Sequence, residues 1–301
     1  MKPEPALPNG TETLPPSSNG VGASPAALQK LRIRMYCQGF GDCFLLTFTH
    51  KEANQPDRET HALIDFGVWR EELACPTRAQ VAEDIRITTK GVVDILVITH
   101  EHRDHLSGFY KKMREDFFVN EKIKFKQLWL AWTEDTKNNP LAQKLHEQFS
   151  FAIGNLVKTQ TKLRGMSDNQ LQQLDLHGMK GVSRELLALE LGTEEAELDA
   201  LLGDGTKVDE ELRDLRANEG SFNLSPNKCA LAEMKEIVGQ ANVKYFKPGQ
   251  LIEHQPLLRK EAQVVPPGVR FYVLGPPEDM AKLQRDSSDA PGDLYLDANL
   301  A

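Results

Sequence analysis

The sequence contains no uninterrupted apolar stretch that approaches the ~20 residues needed to cross a bilayer. Its first part, residues 1–28, is rich in proline, serine, asparagine and glycine and lacks the apolar core of a signal peptide. A segment of this composition buries too little apolar surface to fold. We therefore predict a disordered tail over residues 1–28, a chain without a membrane partner, and a cytoplasmic location.

Cysteine is also scarce, with four residues in a chain of 301. The four have none of the paired spacings that are typical of a disulfide framework or a cysteine-ligated zinc site. They are Cys37, Cys43, Cys75 and Cys229. This usage is typical of a reducing compartment, where isolated cysteines act as small buried side chains.

The chain has fewer basic than acidic residues. Its 36 lysines and arginines and 44 aspartates and glutamates give a formal net charge of -8. Proteins that bind phosphate-rich polymers usually present a basic surface. The chain therefore has no general attraction for extended nucleic acid, and the sequence leaves that partner uncertain. Its apolar fraction of 40% and charged fraction of 27% are ordinary for a large globular domain.

Histidine is concentrated in one short segment. Three of the eight histidines lie between His100 and His105, together with Asp104. The preceding run, residues 92–98, is short, continuous and β-branched, which is typical of a buried strand of the parallel type. The cluster thus follows the end of a strand, where α/β proteins place their sites. A helix over residues 109–117 is predicted to come next.

The spacing within the cluster predicts a metal site. His100 and His102 are two residues apart and can point the same way in extended chain, while Asp104 and His105 turn to a second position. One or two metals could be held. Imidazoles with one carboxylate suit zinc best, with manganese or iron as alternatives. Scattered surface histidines, or one core histidine bonded to a carbonyl, are the competing interpretation.

These residues carry a resemblance to a known family. The pattern His100-x-His102-x-Asp104-His105 resembles the signature of the metallo-β-lactamase superfamily. Residues 62–67, Ala-Leu-Ile-Asp-Phe-Gly, resemble the first motif of that family. The glycine-rich segment 39–46 resembles the hairpin of the branch related to the nuclease domain of bacterial competence-type DNA-uptake proteins.

The resemblance implies an α+β fold, the metallo-β-lactamase-like αββα sandwich, with metals at one edge. His100 and His102 would hold the first metal, and Asp104 and His105 the second. The later ligands that the family implies are not evident, since the downstream histidines are His146, His177 and His254. We therefore expect residues 29–301 to form such a domain that is incomplete at its C-terminus.

Two further aspartates are assigned supporting roles. Asp65 is expected to orient a ligand histidine through its ring N–H, the usual arrangement around metal-bound imidazole. Asp42, in the glycine-rich turn, either does the same or stabilises the turn. Asp104 can also accept the proton of the nucleophile, which makes it the candidate catalytic residue.

The rest of the sequence predicts a part of the domain that consists of strands and a part that consists of helices. Strands are predicted at 31–37, 43–49, 61–65, 93–99, 126–131 and 269–274 in one sheet system. A peripheral helical insertion is predicted over about 134–242, with helices at 141–161, 168–176, 183–191, 193–202 and 226–239. Trp129 and Trp132, at the end of a predicted strand, are expected to pack in the core.

The expected function is that of a metal-dependent hydrolase, and this chain alone, with its ligand set incomplete, is expected to show little or no hydrolysis of a generic phosphodiester. Zinc would make a bound hydroxide available near neutral pH and polarise the substrate. The substrate would be a small molecule or phosphodiester, or another ester or amide. The alternative is a non-catalytic fragment or relic of such a hydrolase that acts as a binding module. The sequence does not identify the substrate-binding residues or the oligomeric state.

Overall fold

A computed structural model describes residues 27–51, 56–120, 122–193, 198, 202, 225–254 and 264–279. The chain is α+β over these ranges, as the sequence predicted. One mixed six-stranded sheet carries helices on one face and a smaller two-stranded sheet on the other. Most of the predicted tail and most of the predicted helix 193–202 lie outside the described residues.

The six-stranded sheet has its strands in chain order. They are β1 (Ala27–Met35), β2 (Phe44–Lys51), β3 (Arg58–Ile64), β4 (Val92–Val97), β5 (Lys124–Ala131) and β6 (Val243–Phe246). The first three pair antiparallel, and the pairs from β3 to β6 are parallel. Strand β4 is thus flanked by parallel neighbours, which explains why all its residues except Asp94 are apolar.

Five of the six predicted strands lie in this sheet. The sixth, predicted at 269–274, lies instead in the smaller sheet, where β8 (Arg270–Tyr272) pairs with β7 (Leu251–Glu253). The place beside β5 is taken by β6, which the sequence did not assign as a strand. A strand of four residues gives too short a pattern to identify by periodicity.

Seven α-helices are described. They are α1 (Arg78–Thr89), α2 (Arg103–Leu106), α3 (Lys111–Arg114), α4 (Pro140–Arg164), α5 (Asp168–Gln173), α6 (His177–Leu191) and α7 (Pro226–Val238). The predicted helix at 109–117 is broken into a 3₁₀ turn, α3 and a π turn. Helix α1 was not predicted, although Thr77 and Gln80 form a capping box at its start.

Helices α1 and α7 pack on one face of the sheet and share its largest hydrophobic core. Leu231 and Met234 of α7 are buried there with Leu96 and Leu128 of the sheet. The prediction of a peripheral helical insertion over about 134–242 is therefore wrong for α7, which packs in the main hydrophobic core. Helices α4 and α6 contribute to a second, separate hydrophobic cluster.

The smaller sheet covers the other face of the main sheet. Phe271 of β8 makes edge contacts with Phe48 and Trp129, at centroid distances of 6.0 and 5.2 Å. Trp129 and Trp132 are buried, as predicted, and the indole of Trp132 donates a hydrogen bond to the carbonyl of Pro276. None of the helices in the described part of the chain is both long and apolar enough to cross a membrane.

We expect Gly108→Ala to destabilise the protein by about 1–3 kcal/mol or more, the usual cost of overpacking. A Cβ at this position would lie 2.5 Å from the carbonyl oxygen of Phe66. The matched control is Gly181→Ala, because Gly181 lies in α6 with open space around it. Alanine there should stabilise the helix by up to about 1 kcal/mol. Urea unfolding measures both, and equal stability of the two variants would contradict the expected packing.

Candidate metal centre

The histidine cluster lies at the carboxyl edge of the parallel strands. It follows β4, and its backbone is tied to the end of β3. Asp65 N–H donates to the carbonyl of Val97 at 2.9 Å, and Phe66 N–H donates to the carbonyl of His105 at 3.0 Å. We call residues 99–105 the ligand loop. The ends of β3 and β4 and the ligand loop therefore form one hydrogen-bonded unit.

The glycines of the two upstream motifs allow this close approach. A Cβ on Gly67 would lie 2.5 Å from the backbone of Asp104 and His105. Asp42 N–H donates to the carbonyl of Asp104 at 3.1 Å, and Gly67 N–H donates to the carbonyl of Asp42 at 3.2 Å. Both upstream segments are thus pressed against the ligand loop, which gives a physical reason for glycine in them.

Three of the four predicted ligands come together. Ligand atoms of His100, Asp104 and His105 lie within 4.8 Å of one another. The rings of His100 and His105 have centroids 3.8 Å apart. Asp104 Oδ1 is buried and has no hydrogen-bond partner among the described residues. A buried carboxylate oxygen without a partner is costly, which is consistent with a position made for a cation.

A second group of three shares His105. Ligand atoms of Asp42, Asp65 and His105 also lie within 4.8 Å of one another. His105 Nδ1 is 2.9 Å from Asp65 Oδ2 and 3.7 Å from Asp42 Oδ2. Thr99 donates to both oxygens of Asp65, from its N–H at 2.8 Å and its hydroxyl at 2.6 Å. Asp65 is therefore placed to orient His105, the role that the sequence predicted for it.

His102 is placed differently from the other predicted ligands. Its Nε2 lies 3.7 Å from Glu190 Oε2 of helix α6. Its ring centroid is 4.7 Å from that of His100. The expectation that His100 and His102 act as one ligand pair is thus only partly matched, since His102 joins neither of the two groups. Glu190 was missed by sequence reasoning, because nothing near it in the chain points to this contact.

The pKa values of the ligand groups follow from these contacts. Burial would lower the pKa of His105, but its contacts with Asp104 and Asp65 outweigh burial and raise that pKa to about 10. Burial would raise the pKa of Asp104, but His105 holds it below its usual value. Burial and the neighbouring imidazoles lower the pKa of His100. Contact with Glu190 raises the pKa of His102.

A partly buried charged cluster lies behind the ligand loop. Glu101, between the first two histidines of the motif, pairs with Lys228 of α7 at 3.2 Å. Lys235 Nζ donates to the backbone carbonyl of Glu134 at 3.3 Å. Burial and the charge of Glu101 raise the pKa of Glu134 to about 8, and burial lowers the pKa of Lys235. Sequence reasoning missed both lysines, which lie far along the chain.

The downstream histidines do not complete the candidate site. The pKa of His146 is lowered by burial and by Lys228, which places it in the charged cluster. His254 Nδ1 lies 2.9 Å from the carbonyl of Val265. The side chain of His177 is outside the described part of the structure. The two groups of three given above are the ones found among the described residues.

Comparison of the chain with models of known protein families found no match. Searches of curated proteins and of solved structures also found no similar protein. The resemblance to the metallo-β-lactamase superfamily therefore rests on the motif residues alone.

We expect His105 to titrate near pH 10 in the metal-free chain, because Asp104 and Asp65 hold its proton. Its folded pKa lies above the value of about 6.5 for an unfolded histidine. Its contribution to stability should therefore be complete below about pH 6.5 and be lost as the pH rises through about 10.

Imidazole NMR signals measure this pKa, and urea unfolding across the same pH range measures the stability. Asp65→Asn should lower the pKa of His105, whereas Asp175→Asn, at an exposed position, should leave it unchanged. An unchanged pKa in Asp65→Asn would mean that this carboxylate does not hold the ring.

Proposed function

We propose that this chain binds zinc at the candidate metal centre and acts as a metal-dependent hydrolase. The observation that carries the proposal is the buried Oδ1 of Asp104, which has no partner and is grouped with His100 and His105. Two imidazoles and a carboxylate form a donor set that suits zinc, with manganese or iron as alternatives. In the second group, His105 Nδ1 lies 2.9 Å from Asp65 Oδ2, so this nitrogen is bonded to Asp65 and the group supports the first ion site by holding the ring.

The finer fold, a metallo-β-lactamase-like αββα sandwich, is part of the same proposal. Its support is the order of layers, with helices on one face of the main sheet and a second sheet on the other. The contacts of the two glycine-containing motifs with the ligand loop add to this support, since Gly67 and Asp42 both touch the backbone of Asp104.

The chain's own groups suit hydrolysis. A bound zinc ion would supply a hydroxide nucleophile near neutral pH and polarise the electrophilic oxygen of the substrate. Asp104, whose pKa is held low, is ionised at neutral pH and can accept a proton. Asp65 fixes the ring of His105 and so leaves its Nε2 available as a ligand. The substrate class that we propose is a phosphodiester or another ester or amide.

A non-catalytic binding role is the second candidate, and one contact favours it. The ring of His102 faces Glu190 of α6, so the helical layer engages a residue that the hydrolase would use as a ligand. A relic of a hydrolase would tolerate such a contact, because its histidines would no longer need to be available to a metal.

Zinc titration of the full chain by calorimetry tests the metal site. We expect weak binding, because only three predicted ligands converge and the remaining positions must be filled by water. Asp104→Asn should lower the affinity about tenfold or more, since it removes the buried charge, and Asp175→Asn should not change it. Binding should also release the proton of His105, so the heat should vary with the ionisation enthalpy of the buffer. Equal affinity in Asp104→Asn would contradict the site.

Glu190→Gln tests whether His102 is a ligand. Removing this charge lowers the pKa of His102 and weakens its hold on the ring. If His102 binds the metal, zinc affinity should rise severalfold in this variant. Glu185→Gln, at an exposed position on the same helix, is the matched control. A loss of affinity would instead make Glu190 itself a ligand, and no change would leave His102 outside the site.

Hydrolysis of chromogenic phosphodiester, ester and amide probes distinguishes the two candidate functions. For the hydrolase we expect low activity, in keeping with the weak metal binding, that a chelator abolishes, that zinc restores, and that Asp104→Asn reduces strongly. Zinc binding without any turnover of the three probe classes would favour the binding role.

A further inference from the structure

The segment that follows Asp65 runs along the ligand loop and the residues just after it. We call residues 67–71 the supporting segment. Ser107, which is fully buried, is bonded twice to Val68 of this segment. The Oγ of Ser107 accepts the N–H of Val68 and donates to the carbonyl of Val68, both at 2.8 Å. The supporting segment is therefore fixed to the chain immediately after the ligand loop.

A second contact with this segment comes from the ligand loop itself. Arg103, which stands between the predicted ligands His102 and Asp104, is 7% exposed. Its guanidinium lies 5.8 Å from the centre of the ring of Trp69 in the supporting segment. A guanidinium at this distance is attracted to the face of an indole, and the attraction is larger where water is excluded. The loop is thus held by a side chain that stands between two of its predicted ligands.

The supporting segment also carries a carboxylate that is close to two arginines. Glu71 pairs with Arg78 of α1 at 2.8 Å, and Arg78 donates to the carbonyl of Ser107 at 3.0 Å. The hydrogen bond from Arg78 lowers the pKa of Glu71 against the effect of burial, and the charge of Arg103 adds to this lowering. Arg103 is thus stabilised by an aromatic face and by a negative charge of the supporting segment.

The direction of the Arg103 side chain separates it from the ion-binding groups. It lines a cavity that none of the four predicted ligands lines. Arg103 is therefore not placed to bind the ion or a substrate at the ion, but it can fix the backbone of the loop. Hydrogen bonds from two upstream amides already fix the carbonyls of Asp104 and His105. Arg103 adds a contact one residue earlier.

We propose that Arg103 is a positioning residue of the metal centre. By packing on Trp69, it holds the ligand loop in the conformation in which Asp104 and His105 face one ion. The contact favours arginine, because a planar guanidinium stacks on an indole, whereas the ammonium of lysine is a compact and strongly hydrated charge. This proposal rests on the proposed metal site and adds to it a residue that does not touch the ion.

Amide hydrogen exchange in the metal-free full chain tests whether Arg103 holds the loop. The reporters are the N–H groups of Asp42 and Phe66, which donate to carbonyls of the ligand loop at 3.1 and 3.0 Å. Arg103→Lys should speed their exchange about fivefold or more, because the loop opens more often once the contact is lost. The N–H of Val273, which donates to the carbonyl of Gln250 beside the smaller sheet, should be unaffected.

Three further variants make this experiment specific. Trp69→Leu should speed exchange as Arg103→Lys does, whereas Trp69→Phe should have a smaller effect, since it keeps an aromatic face. Arg70→Lys is the matched control, because Arg70 is an exposed arginine of the supporting segment. Unchanged exchange in Arg103→Lys, an equal effect of Arg70→Lys, or equal acceleration at Val273 would overturn the proposal.

Cobalt(II) bound in place of zinc tests the link to the metal centre. Its visible absorption depends on the geometry of the ligands, and at saturating cobalt this spectrum does not report affinity. Arg103→Lys should change the spectrum, and it should weaken zinc binding about tenfold, the usual effect of losing a residue that orients a ligand. Arg70→Lys should do neither.

The outcomes separate this proposal from the proposed function. An unchanged spectrum and an unchanged zinc affinity in Arg103→Lys would overturn the positioning role and leave the proposed function intact. If the unsubstituted chain bound no metal, the proposed function would fail, and the exchange rates would still decide whether Arg103 holds the loop.

Discussion

The candidate metal centre depends on the hydrogen bonds that the carboxylate of Asp65 makes with Thr99 and His105. Asp65 lies just beyond the end of β3 with a positive φ of 54°, and it accepts both the N–H and the hydroxyl of Thr99. It also contacts the ring of His105 at 2.9 Å. One buried side chain therefore joins the end of β3, the end of β4 and the ligand loop. A conformation that is unfavourable for most residues is tolerated here because these contacts determine it.

The parts of this structure that sequence predicted are local. The apolar run of β4 and the spacing from His100 to His105 sit within one strand and the loop after it, so their placement follows from short-range geometry. The structure also places Asp65 beside the ring of His105, at the position that its predicted orienting role requires. The sequence could not predict which segments that are far apart in the chain pack against each other. The position of α7 in the core and the contact between His102 and Glu190 depend on packing of segments far apart in the chain.

The partly buried charges behind the ligand loop show a second constraint of this kind. Glu101 lies within the metal motif, but its partner Lys228 comes from α7, more than a hundred residues later. Because the side chains of Glu101 and Lys228 are 24% and 17% exposed, water screens the pair and it adds little net stability. The pair therefore acts mainly to fix α7 against the ligand loop. Since α7 also packs in the main core, the loop is held between two rigid elements, the sheet and this helix.

The acidic groups of the candidate metal centre, together with Glu190, favour protons on its imidazoles. Asp65 and Asp104 raise the pKa of His105 to about 10, and Glu190 raises the pKa of His102. A metal ion must displace these protons, because only neutral imidazole is a ligand. A bound cation would be stabilised by Asp104, whose Oδ2 lies 3.4 Å from His105 Nε2. A proton on Nε2 would take the place of that cation at low pH, while the Nδ1–H of His105 would stay on Asp65 in either state.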